Sequence, residues 1–256
     1  MRRKVFRNGG LGLFAAPFLG PLGAMAAATG EKKKAKGGSA KNIIFMVSDG
    51  MSTGTLNMAD MLLQRKEGRR TNWLSLYETG QGTRALMDTA SASSLVTDSA
   101  AASSSWGGGV RVPNGSINVG ANGQAYQPIL QKFKAAGKSV GCVTTVPITH
   151  ATPAGFCVNS RSRGDQEEIA VQYTELKFDV MMGGGNEFFD AAKRKDKRDV
   201  YADFVSAGYE VVKTGTAMEQ VSASSQKPLL AVFSDNGLPY TPDANNDKKT
   251  FLPWRR

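Results

Sequence analysis

One histidine and two cysteines stand in a chain of 256 residues, and these scarcities exclude whole classes of chemistry. With His150 alone, any mechanism that needs several imidazoles from this chain is out of reach. Two cysteines make neither a disulfide-rich scaffold nor a four-thiolate zinc site. There is no unbroken apolar run long enough for a permanent membrane span. Acidic residues are scarce in one place: residues 1–41 hold nine Lys or Arg and a single acid, Glu31. Of the net charge of +10, +8 therefore sits in the first 41 residues and +2 in the other 215. A body so nearly balanced lacks the basic face that nucleic acid demands. The basic run at 193–198 has no interleaved aromatics and reads as a solvated helix face. Apolar content of 41% with both charge signs present points to a globular domain.

Residues 1–28 have the three parts of an export signal. The basic head is Arg2-Arg3-Lys4, an apolar stretch starts at Leu11, and Ala24-Met25-Ala26 and Ala26-Ala27-Ala28 offer small-residue cleavage sites. Gly12, Gly20, Gly23, Pro17 and Pro21 dilute the apolar part, which favours the twin-arginine type and argues against a helix of the fold. Residues 29–41 are too polar to pack and read as a basic linker. The expected destination is the periplasm or the exterior.

The body, 42–256, begins with the apolar run Asn42-Ile43-Ile44-Phe45-Met46-Val47, which predicts a strand buried on both faces. Helical spacing is expected over 54–66, 91–106 and 126–136. Further strands are expected at 139–146, 178–182, 209–212 and 229–233. Strands alternating with helices predict an α/β fold with a largely parallel sheet flanked by helices. Ligands of such sheets collect beyond the carboxyl ends of the strands. Ser48-Asp49-Gly50, Thr149-His150-Ala151-Thr152, Gly183-Gly184-Gly185 and Ser234-Asp235-Asn236 all follow predicted strands, so one rim could gather them.

Asp49, at the end of a predicted strand and before a glycine turn, suits a hard or borderline metal ion, although an Asp so placed more often forms a turn and bonds its own backbone. Thr97 or Asp98 could be a plain helix cap; if Asp98 or Ser99 opens the helix, the Ser99 hydroxyl lies at the positive helix end, where a phosphate is also favoured. A serine nucleophile needs a base or a metal to take its proton, and one histidine in a turn makes no convincing triad.

Four ordered motifs carry a resemblance. Asn42 to Met51, then Val96-Thr97-Asp98-Ser99-Ala100-Ala101, then Thr149-His150-Ala151-Thr152-Pro153-Ala154, then Val158-Asn159-Ser160-Arg161 resemble successive motifs of the alkaline phosphatases. Gly183-Gly184-Gly185 and the stretch 229–240 resemble later landmarks. The resemblance implies phosphate monoester hydrolysis through a phosphoserine on Ser99, with Zn2+ and Mg2+ as cofactors. It implies that Asp49 touches a zinc and the magnesium, that Thr152 binds the magnesium, and that His150 reaches it through water. Arg161 would clamp two phosphate oxygens with Asp98 holding it in place, Arg163 being the rival. A homodimer is compatible with this picture.

The family's zinc sites draw most of their ligands from sequence that would lie past residue 256, so the fold is expected to be incomplete at its C-terminus and the chain to be an exported N-terminal half. Two rivals stand beside that expectation: a catalytically silent phosphate- or metal-binding fragment, and a sulfatase or phosphodiesterase relative. Cys142 and Cys157 are open to pairing or to two separate buried thiols.

Overall fold

The computed structural model describes residues 40–221 and 225–240. The export signal at 1–28 and nearly all of the linker at 29–41 lie outside the described residues. Two units divide between Val47 and Ser48.

In the first unit, the described residues 40–47 form no strand, and Ile43, Ile44, Phe45 and Met46 are 60–87% exposed. This corrects the expected buried strand. An apolar run becomes a strand only where a hydrogen-bond ladder and covering layers receive it, and the described sheet is built from other segments.

In the second unit, four parallel strands lie in the order β1-β2-β4-β3: β1 is Gly141–Pro147, β2 Val180–Gly184, β3 Glu210–Val212 and β4 Leu229–Val232. β4 is buried throughout, as its unbroken apolar run predicts. β1, expected to be buried, is an outer strand of the described sheet with alternate residues exposed, Val143 at 68%.

Helices α1 (Thr53–Glu67), α2 (Asn72–Glu78), α3 (Ser99–Gly107), α4 (Ile129–Ala135), α5 (Ala151–Cys157), α6 (Gln166–Glu175), α7 (Val200–Ser206) and α8 (Gly215–Glu219) accompany the strands. α1 starts where Ser52 accepts the Thr55 amide and stops at Gly68, whose φ of 67° suits glycine. α3 is shorter than the helix expected over 91–106. The Ser91 hydroxyl accepts the amides of Ser93 and Ser94, a local bonding that competes with helix. α4 starts late because Pro128 precedes it in extended conformation.

The core joins helices and sheet through Ile148, Ile169, Tyr173, Phe178, Phe189, Phe204 and Leu230, each 1% exposed or less. Arg194, expected in a solvated helix face, is 1% exposed and sits in a turn. Its guanidinium donates to the carbonyls of Glu167 (3.0 Å) and Phe188 (2.7 Å) and to both carboxylate oxygens of Asp196. A buried guanidinium is tolerable because every bond there is to a fixed acceptor.

Candidate active site

α3 and α5 cross almost backbone to backbone. A Cβ on Gly155 would lie 2.2 Å from Ser103 Oγ, and one on Gly107 would lie 2.1 Å from the Gly155 carbonyl oxygen. Ser103 Oγ donates across the crossing to the Ala151 carbonyl at 2.9 Å. Small side chains thus let the N-terminal ends of two helices approach, bringing Ser99 and Thr152 near one carboxylate.

That carboxylate is Asp49. Ser99 Oγ donates to it at 2.9 Å (Oδ2) and 3.2 Å (Oδ1), and Thr152 Oγ1 donates to Oδ2 at 2.8 Å. Residues from three motifs, as far as 103 positions apart, converge on one acceptor. Asp49 is open to solvent, while Ser99 and Thr152 are half-buried.

Asp98 caps α3, accepting the Ala101 amide at 2.9 Å and the Gly115 amide at 3.0 Å. Its Oδ2 also accepts Arg163 Nη1 at 3.2 Å. Burial alone would raise the Asp98 pKa, but the two amides and the guanidinium together hold it below the usual carboxylate range. The Arg163 amide donates in turn to the Gly115 carbonyl at 2.7 Å, so backbone and side chain both fix this arginine beside Asp98.

Arg163 Nη2 lies 3.0 Å from His150 Nε2. A guanidinium has no acceptor, so Nε2 accepts and Nδ1 carries the ring proton. His150 Nδ1 is buried without a hydrogen-bond partner among the described residues. Burial, aided by the Arg163 charge and opposed by Asp49, lowers the His150 pKa and keeps the ring neutral.

Five of the six residues singled out from sequence, Asp49, Asp98, Ser99, His150 and Thr152, therefore meet. Arg161 does not join them. It is exposed, and its guanidinium packs over Gly123, where a Cβ would lie 2.6 Å from Nη2. The Val-Asn-Ser-Arg wording pointed to Arg161, whereas the structure puts the rival, Arg163, on Asp98.

Sequence reasoning also missed Asn114, Gly115 and Asn118. Asn114 Oδ1 accepts the Asp98 amide at 3.1 Å. Asn118 is fully buried and donates from Nδ2 to the carbonyls of Gly155 and Val158, both at 2.8 Å. The only available signal was the turn-forming Pro113-Asn114-Gly115.

The donor set around Asp49 is a carboxylate flanked by two hydroxyls. Such hard oxygen donors fit Mg2+. They do not fit Zn2+, since no group of three or more His, Cys, Asp or Glu gathers among the described residues.

The alkaline phosphatase family model matches residues 40–252. Alkaline phosphatase 4 of Bacillus subtilis is 33% identical over 226 residues, covering 85% of this chain and 47% of that protein. The alkaline phosphatase of Escherichia coli is 30% identical, covering 78% of this chain and 48% of its own length. Among solved structures, Thermus thermophilus alkaline phosphatase superposes with a TM-score of 0.72 at 36% identity, covering 80% of this chain and 42% of that one. A variant of the TAB5 alkaline phosphatase with Mg bound in its M3 site superposes with a TM-score of 0.60 at 28% identity, covering 71% of this chain and 51% of that one. The chain spans about half the length of the curated relatives it matches.

Proposed function

The chain belongs to the alkaline phosphatase family, and from that membership we propose that it contributes the nucleophile and the phosphate clamp of a metal-dependent phosphomonoesterase. The observation that carries the reading is the convergence of Ser99 and Thr152 on Asp49, with Arg163 held beside them by Asp98.

Ser99 is the proposed nucleophile. Its Oγ attacks the phosphorus of a monoester, the alcohol leaves, and water later frees the phosphoserine. In the ground state Asp49 accepts the hydroxyl proton and aims the oxygen lone pairs outward. Arg163 spends one N–H on Asp98 and one on His150, leaving three to meet two phosphate oxygens in a planar fork. The α3 N-terminus adds its partial positive charge where the phosphoryl group would sit.

Asp49 and Thr152, with His150 through water, are proposed to hold Mg2+, which would neutralise phosphoryl charge. Zn2+ is proposed only for the assembled enzyme, because these residues alone do not make a zinc site. Export by a twin-arginine signal, a periplasmic or extracellular location and homodimerisation belong to the same proposal. No described helix is long and apolar enough to cross a membrane.

A second reading is a silent exported phosphate- or metal-binding protein, favoured by the absence of a three-ligand cluster among the described residues. The test is release of phosphate from a generic phosphomonoester at alkaline pH with Mg2+ and Zn2+, beside Ser99→Ala. Release lost in the variant supports hydrolysis, and equal release from both refutes a role for Ser99. No release from either, with phosphate still bound, assigns the silent reading.

A further inference from the structure

Cys142 is the second residue of β1, and Cys157 is the last residue of α5, the helix that follows β1. After the turn at 148–150, α5 packs back against β1. Cys157 is fully buried in the core, and Cys142 is half-buried and packs against that same core. The Cys157 thiol neighbours Cys142 and the Tyr173 hydroxyl, and Tyr173 is itself anchored by donating to the Ile148 carbonyl at 2.7 Å. These are the two cysteines of the chain, and both are thiols in this structure.

We propose that Cys142 and Cys157 are a disulfide-forming pair whose bond fastens the end of α5 to the start of β1. The location matters because α5 carries Thr152 in its first turn and the chain leaving Cys157 carries Arg163. A bond here fixes the start of the segment that brings the guanidinium to Asp98.

The oxidant is another disulfide, small or protein-borne. Cys142, the more accessible thiol, attacks as its thiolate, breaking the oxidant's S–S bond and releasing one thiolate. Cys157 then gives up its proton and attacks the Cys142 sulfur, releasing the second thiolate. The oxidant gains two electrons and two protons, and the pair loses the same. Burial pushes the Cys157 thiol well above its usual range, which makes Cys142 the entry point and slows the second step in the folded chain. The pairing does not depend on phosphoryl transfer.

The test uses the full chain, refolded and equilibrated in glutathione and glutathione disulfide, then quenched with iodoacetamide and digested with trypsin. Residues 139–161 form one tryptic peptide containing both cysteines. In an equimolar glutathione buffer the expected peptide is unalkylated and lighter by two hydrogens, and the oxidised chain melts higher than the reduced one. Cys142→Ser should leave one modifiable cysteine and a melting point indifferent to redox. A peptide carrying two alkyl groups, or glutathione on Cys142 without the internal bond, overturns the proposal. So does an oxidised chain that melts no higher than the reduced one.

Discussion

Replacing Arg163 and Arg161 in turn by alanine separates two guanidiniums that are two residues apart and differ in what holds them. Arg163 is fixed by Asp98 and by its own amide on the Gly115 carbonyl. Arg161 packs over Gly123, away from Asp98. Two charge-assisted bonds to phosphate are each worth about 1.5–3 kcal/mol, and each 1.4 kcal/mol is about tenfold in affinity. The Arg163 side chain is 32% exposed, so solvent takes part of that gain. Arg163→Ala should weaken inorganic phosphate binding by about ten- to a hundredfold. Arg161→Ala loses only a screened charge and should change affinity by less than about twofold. Titration calorimetry of the full chain with phosphate and Mg2+ measures both. Circular dichroism must show the fold intact, as it should be, since a partly exposed ion pair contributes about 1 kcal/mol or less. Equal losses in the two variants, or a loss only in Arg161→Ala, would refute the assignment.

Three other outcomes follow from the same geometry. Asp98→Ala removes a helix cap and a partner of the Gly115 amide, costing about 1–2 kcal/mol in urea unfolding, whereas Asp98→Asn keeps the cap and costs less than half as much. Gly155→Ala pushes a methyl against Ser103; overpacking of this kind costs about 1–3 kcal/mol, which calorimetry should read as a fall in Tm of about 3–10 °C. Asp98 and Asp179 are both held below the usual carboxylate range, Asp179 because the Lys134 ammonium at 2.8 Å and the Val140 amide outweigh its burial. Their stabilisation is complete above the unfolded carboxylate pKa of about 3.9 and fades as pH falls through the lower folded values. Acid unfolding of Asp179→Asn should therefore be shallower below about pH 4, with no change in slope near neutrality.

How much of this was legible in the sequence differs by element. β2, β3 and β4 stand close to where apolar runs placed them, because the strands of a parallel sheet write largely continuous apolar text. The run at 42–47 carries the same text and is exposed, since burial depends on partners that a local pattern does not name. Five of the six site residues come together: Asp98 and His150 stand at helix N-caps, Ser99 and Thr152 lie in the first turns that follow, and Asp49 sits in a turn that both hydroxyls reach. The arginine was harder. Arg161 and Arg163 share an irregular segment, and the choice between them depends on the Gly115 turn, nearly fifty residues earlier. Asn118 gave no signal, because its importance is a pair of bonds to backbone carbonyls that exist only once α3 and α5 have crossed.

Ser99 is proposed to take the phosphoryl group. Incubating the full chain with Mg2+, Zn2+ and a phosphomonoester, quenching in acid and mapping the modified residue by mass spectrometry tests it directly. Phosphoserine is expected at Ser99 and none in Ser99→Ala. Phosphate released from the ester by both proteins, with Ser99 never modified, would contradict it.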